Sequence, residues 1–267
     1  MGQIIYGNNL PILQEWSSGS IDLIYIDPPF NTVKGQQYKT IPLETTGYND
    51  KFDNFINFIE DRLIEAYRIL HNNGSLFFHI DYREVHYCKI LLDKIFGRDA
   101  FMNEIIWAYD YGGRSKTRWP TKHDTILWYA KNPMAYTFNF EEMDRIPYMA
   151  PGLVDKDKAK KGKTPTDVWW HTIVSPTGKE KTGYATQKPL AIIKRILKIH
   201  TTESNTVMDF FAGSGTTGEA AASLHRDYIL IDDNPDSILI MEKRLRTYKP
   251  ELINCQDIIL SRSQKAS

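Results

Sequence analysis

Residues 21–26 read IDLIYI, a run without polar alternation that stops on Asp27-Pro28-Pro29-Phe30. A strand apolar at successive positions hides both of its faces. Such strands belong to parallel sheets covered by helices on either side. The remaining pattern meets that requirement. Strand-like runs IIYGN (4–8), SLFFHI (75–80), NEIIWA (103–108), TILWYAK (125–131), TVMDFF (206–211) and YILID (228–232) alternate with helical segments. Residues 52–70 carry apolar side chains at 55, 59, 63, 66 and 70, and Gly74 reads as a break before the next strand. Gly97 closes a helix over 84–96 as its C-cap, and further helices are expected over 9–16, 189–200, 216–224 and 237–245. The expected fold is α/β, a doubly wound and mostly parallel sheet with helices on both faces. Only 133–184 departs from it. There the periodicity dissolves into Pro, Gly, Lys and Trp, marking a small irregular insertion.

A chain of 267 residues suits one large domain carrying such an insertion. No apolar stretch approaches the ~20 residues of a membrane span, and no secretory leader is expected. Cys88 and Cys255 have no ligand-like spacing, so neither a disulfide framework nor a structural zinc is expected, and the default compartment is the cytoplasm. The net charge of zero is unevenly spread. Residues 111–198 hold 17 Lys and Arg against 8 Asp and Glu, while the remainder hold 16 against 25. Such asymmetry marks either a surface that meets a polyanion or a solvated lysine-rich loop.

Residues 209–218, DFFAGSGTTG, place Gly213, Gly215 and Gly218 in the G-x-G-x-x-G pattern between a strand and a helix. Asp232 follows at the end of the next strand, where it can accept ribose hydroxyls. Asp209 at the mouth of the turn would repel a pyrophosphate but attract an ammonium or sulfonium. S-adenosyl-L-methionine has those cations and no phosphate. The DPPF segment complements such a donor. An exocyclic amine is a poor nucleophile because its lone pair is delocalised into the ring. Asp27 and the Pro28 carbonyl can each accept one of its N–H groups. The two prolines fix the backbone and remove competing donors. Phe30 offers a surface for a base taken out of its stack.

As a set, SIDLIYIDPPFN, ATQKPLAIIKRIL (185–197), VMDFFAGSGTTGEAA and YILIDDNP resemble the amino-methyltransferases of DNA that modify N6 of adenine or N4 of cytosine. Their order, catalytic segment before donor segment, is that of the beta class. FNT after DPP, HID at 79–81 and IIW at 105–107 are also similar to the modification subunits of type III restriction systems, in compact form. The resemblance implies a Rossmann-like methyltransferase sheet with a catalytic half at 1–132, a target-recognition insertion at 133–184 and a donor-binding half at 185–267. It implies Asp27, Pro28, Pro29 and Phe30 as the catalytic loop, and Asp27, Asp209, Phe211, Gly213, Gly215 and Asp232 as donor contacts. Gln187 and Lys188 fall near the methionine end of the donor. Asn8, where many members have Asp, falls near its adenine. Phe30 keeps the stacking surface of the commoner Tyr but not its hydroxyl.

Double-stranded DNA is the expected partner, with a homodimer and a cognate restriction endonuclease left open. Arg114, Lys116, Arg118 and Lys122 in a Gly-rich loop are candidates for phosphate contact. Trp169 and Trp170 either touch DNA or form the small core of the insertion. His79, Asp81 and His86 could suggest a metal or a general base, but methyl transfer needs no metal and none is expected. N6 of adenine is favoured, with N4 of cytosine as the alternative. A glutamine N-methyltransferase or a silent DNA-binding subunit is more distant.

Overall fold

The computed structural model describes residues 1–30, 36–40, 44–48 and 54–265, with side chains for 1–30 and 54–260. Asn31 and Thr32 of the FNT run, and Phe52 and Asp53 at the expected start of a helix, lie outside the described residues. The chain begins β1 (Gly2–Tyr6), α1 (Asn9–Glu15) and β2 (Ile21–Ile26). A separate antiparallel pair, β3 (Gln36–Thr40) and β4 (Glu44–Tyr48), precedes α2 (Phe55–Ile69), β5 (Leu70–Ile80) and α3 (Val85–Phe96). Then come β6 (Phe101–Ala108), β7 (His123–Ala130), α4 (Lys156–Lys161) and β8 (Val168–Trp170). The chain ends with α5 (Leu190–His200), β9 (Thr206–Asp209), α6 (Thr216–Ser223), β10 (Asp227–Asp232), α7 (Pro235–Leu245), β11 (Glu251–Ile253) and α8 (Gln256–Lys265).

Nine strands form one sheet in the order β11-β1-β10-β9-β2-β5-β7-β6-β8. Within it β7 runs against β5 and β6, and the other neighbours are parallel. The IDLIYI strand lies between β9 and β5, where it pairs on both edges and is covered on both faces. Ile24 and Ile26 join the layer containing α1, α2 and α3; Leu23 and Tyr25 join the layer of α5, α6 and α7. α2 seats Phe55, Ile59, Leu63, Ala66 and Ile69 in the first layer, each Ile or Leu worth roughly 1.5–3 kcal/mol by burial. Asn54 caps it, accepting from Asn57 N at 3.0 Å. Among the described residues, no helix is long and apolar enough to cross a membrane.

Two expectations need correction. β1 pairs with β10 and β11, inside the donor-side half of the sheet, so a boundary at 132 does not follow the fold. Gly74 is no break but lies within β5 at a register shift, where a Cβ would stand 2.9 Å from the Asp22 carbonyl oxygen. The 133–184 insertion also adds a strand to the main sheet, β8 beside β6. His171 N donates to Ala108 O at 3.1 Å and Trp107 Nε1 to His171 O at 2.7 Å.

Period-two alternation along β8 separates its two tryptophans. Trp169 turns inward, 8% exposed, with its indole donating to Thr166 O and the Arg195 guanidinium over its ring. Trp170 turns outward, 76% exposed. The proposal of Trp169 as a DNA contact is therefore corrected: its ring is committed to the core. Trp169→Ala is expected to cost ~3–5 kcal/mol in urea unfolding, a cavity-forming loss. Trp170→Ala should stay within about 0.5 kcal/mol of wild type. The reverse order of damage would place the wrong ring in the core.

Candidate active site

The register of β2 on β9, Leu23 to Val207 and Ile24 to Met208, brings the C-terminal ends of the two strands side by side. DPPF leaves one end and the glycine turn the other. A cleft of about 300 Å³ opens at these ends, lined by Asp27, Pro29, Asp209, Phe211, Gly213 and Asp232 among others. This is where open α/β sheets bind ligands. Gly213 and Gly215 both take left-handed backbone, with φ of 48° and 72°. A Cβ at Gly213 would meet the Tyr184 ring at 3.0 Å, and one at Gly215 would stand 2.8 Å from Met241 Cγ. Gly215 does not line the cleft. It lets α6 start while α7 packs behind the turn.

The cleft wall is acidic. Asp209 is buried and its carboxyl is pushed up to about 7, first by burial and further by Asp27 and Asp232. Thr217 Oγ1 at 2.6 Å and Phe211 N at 3.0 Å donate to it and limit the shift. Asp232 is pushed up to about 6 by burial, against bonds from Asn234 N and Gly213 N at 2.9 and 2.7 Å.

Besides Gly215, two expected donor contacts are corrected. Asn8 is exposed and caps α1, accepting from Leu10 N, while its neighbour Asn9 lines the cleft. Asn9 Nδ2 donates to Phe210 O at 2.6 Å, and Arg62 Nε donates to Asn9 Oδ1 at 2.6 Å. Gln187 is spent on its own loop, accepting from Thr182 N and Oγ1 and donating to Glu180 O, each at 2.8 Å. Arg62, stacked over Phe58 at 3.8 Å, is a cleft residue that sequence reasoning missed. Its signal was a charge at position 62, amid the buried stripe of α2.

On the acceptor side, Lys188 is buried and its ammonium lies 2.9 Å from Asp27 Oδ2, 4.0 Å from Asp124 Oδ2 and 4.5 Å from the Phe30 ring centroid. Asp27 Oδ1 is buried with no hydrogen-bond partner among the described residues. His79 is fully buried between Tyr25 and Asp124, Asp81 pairs with Arg83, and His86 is exposed on α3.

In the Gly-rich loop, Arg114, Lys116 and Arg118 are exposed, and Arg114 pairs with exposed Asp110. Exposed pairs of this kind contribute roughly 0–1 kcal/mol, so Arg114 is readily recruited elsewhere. Lys122 is corrected: its ammonium donates to the carbonyls of Tyr111, Gly112 and Gly113, closing the loop from within. Trp119, 94% exposed between Arg118 and Pro120, was not singled out by sequence and is the most prominent aromatic there.

A glycine turn with an acid at the next strand end, beside a proline-fixed carboxylate, defines a group-transfer enzyme with donor and acceptor sites on adjacent strands. Comparison with known proteins agrees. Residues 21–243 match the family model of N6/N4 DNA methylases. The type II methyltransferase M.HpaI of Haemophilus parainfluenzae is 30% identical over 243 residues, covering 91% of this chain and 74% of that one. The DNA adenine methyltransferase YhdJ of Escherichia coli K12 is 29% identical over 250 residues, covering 91% and 82%. Among solved structures, the M1.HpyAVI–SAM complex aligns with a TM-score of 0.63 at 24% identity, covering 92% of this chain and 99% of that one. The cytosine-N4-specific PvuII DNA methyltransferase aligns at 0.68 and 15% identity, covering 97% and 90%. This chain belongs to the DNA methylase family and is a DNA methyltransferase.

Proposed function

We propose that the chain transfers the methyl group of S-adenosyl-L-methionine to N6 of an adenine flipped from a short duplex sequence. The observation that carries this reading is Asp27 Oδ1, a buried acceptor with no partner among the described residues, beside a cleft ringed by carboxylates. Leaving such an oxygen unmatched is costly unless a ligand donor meets it. The cleft fits the donor: the four acids that line it, Asp27, Asp209, Asp232 and Asp233, suit a ligand bearing cations and oppose a pyrophosphate. Asp232 and Gly213 would hold its ribose and backbone-facing end, Asp209 its cationic end, and Phe211 its adenine. When bound, S-adenosyl-L-methionine supplies an electrophilic methyl group on a sulfonium. The protein does the remainder. Asp27 Oδ1 and the Pro28 carbonyl accept the two N–H groups of the target amine and favour a more tetrahedral nitrogen. Phe30 stacks on the base, worth ~1–3 kcal/mol. Asp27 takes the proton that the nitrogen gives up.

YhdJ, by its name an adenine methyltransferase, supports adenine over cytosine. Arg114, Lys116, Arg118 and Trp119 face the duplex, and Trp170 with its surroundings in 133–184 reads the sequence. The setting is the cytoplasm. A second copy of the chain and a cognate endonuclease are the protein partners to test. The chain should bind S-adenosyl-L-methionine and not NAD in calorimetry. Expressed in a host without other methylases, it should leave N6-methyladenine at one short sequence when genomic DNA is sequenced with modification detection. N4-methylcytosine at that sequence would overturn the base assignment, and unmodified DNA the function. Exchange of 133–184 with a relative's segment should change the sequence methylated.

A further inference from the structure

Behind the catalytic loop, a chain of buried polar side chains crosses from β2 to β7. Tyr25 Oη lies 2.7 Å from His79 Nδ1, and His79 Nε2 lies 3.1 Å from Asp124 Oδ2. Burial raises Tyr25 well above the ordinary phenol value, so its hydroxyl keeps the proton. Facing the Asp124 carboxylate, His79 Nε2 carries a hydrogen and donates to it. Tyr109 Oη donates to Asp124 Oδ1 at 3.1 Å. Burial works against the Asp124 anion, yet the bond from His79, the Lys188 ammonium and the bond from Tyr109 together hold its carboxyl below the ordinary value. Asp124 is thus a fixed, buried anion at the edge of the reaction site.

Apolar side chains could fill these strand positions at no loss of stability, and often with a gain. The network instead ends on Lys188, and that placement has a consequence for Asp27. An ammonium with Asp27 as its sole partner could settle between both carboxylate oxygens. Drawn from the other side by Asp124 at 4.0 Å, it meets Oδ2 and leaves Oδ1 with no partner among the described residues. We propose that Asp124 is a positioning residue for methyl transfer: with His79 and Tyr109 it holds the Lys188 ammonium on Asp27 Oδ2, keeping Oδ1 for the target amine. The proposal rests on the amino-transfer reading above.

The test is a cycle of Asp124→Asn and Lys188→Met, singly and together, read in single-turnover methylation at saturating donor and DNA. Asp124→Asn should slow turnover by roughly 10²-fold, the size expected of a misplaced reacting group, with donor affinity unchanged. In the Lys188→Met background the same change should add nothing, because Asp124 acts only through that ammonium. Independently of activity, Lys188 in Asp124→Asn should react faster with an amine-acetylating reagent, followed by peptide mass spectrometry. Equal losses in both backgrounds, wild-type turnover in Asp124→Asn, or unchanged Lys188 reactivity would each overturn the proposal. If Asp124→Asn does not fold, Tyr109→Phe removes one bond to Asp124, keeps the ring and carries the same cycle with smaller effects. If the wild-type chain methylated no DNA, the functional reading would fail, while the acetylation arm would still decide the Asp124–Lys188 contact.

Discussion

Asp27→Ala should reduce methyl transfer by about 10³-fold or more while leaving donor affinity intact. Removing one preorganised hydrogen-bonding group from a reaction site costs about 10²–10³ in rate. In the proposed mechanism the same side chain is also the first base for the released proton, a role worth ~10²–10⁴. The fold should tolerate the change. Breaking a buried ion pair costs ~3–5 kcal/mol where it strands a charge, but Lys188 retains Asp124 beside it at 4.0 Å. Donor binding should hold or improve slightly, because Asp27 is one of the charges that raise Asp209. Single-turnover incorporation of labelled methyl groups, with calorimetry of the donor on the same preparation, separates the two effects. Turnover within about tenfold of wild type would remove Asp27 from the acceptor role.

Much of this site was legible in the sequence because its constraints are local. IDLIYI announces burial on both faces, DPPF fixes its own backbone, and the glycine turn with Asp232 spans one strand–helix–strand unit. What was not legible depends on pairings distant in the chain. β1 lies among the donor-side strands because its partners are β10 and β11, more than two hundred residues on, and sequence order cannot show that. Trp169 and Trp170 are equivalent as letters. Their opposite fates follow from how β8 docks on β6. Asn8 and Asn9 diverge for a similar reason: one caps the first turn of α1 and the next points at the Phe210 carbonyl. His79 and Asp124 lie 45 residues apart, and only the antiparallel insertion of β7 beside β5 brings them into contact. Arg62 is the exception. A charged residue inside an apolar helical stripe needs a buried partner, and that requirement is local to α2.

The largest pH effect should come from Asp209, and its sign differs between stability and donor binding. Unfolded, this carboxyl ionises at the ordinary 3.8; in the folded free protein burial delays ionisation to about 7. Between those values the folded state holds the extra proton, so this contribution to stability is full below pH 3.8 and is lost as pH rises through 7. At about 1.4 kcal/mol per pH unit the change is ~4 kcal/mol in order of magnitude. Asp232, raised to about 6, has the same sign. His200 opposes both: burial pushes it from 6.5 down to about 3, so its contribution is lost as pH falls through that range. The wild-type curve therefore mixes opposing slopes, and the difference from Asp209→Asn isolates the carboxyl. That variant should gain on wild type by ~4 kcal/mol between pH 4 and pH 8 in chemical denaturation. Donor affinity should run the other way. A cationic ligand needs Asp209 ionised, so wild-type affinity should drop about tenfold per pH unit below 7, roughly 10²-fold by pH 5, and more steeply below the Asp232 value. Calorimetry in buffers of different ionisation enthalpy should show proton release on binding, reduced in Asp209→Asn to what Asp232 contributes. Wild-type affinity flat from pH 5 to pH 8 would mean that another group meets the donor's charge, because a carboxyl this deeply buried cannot receive a cation without first losing its proton.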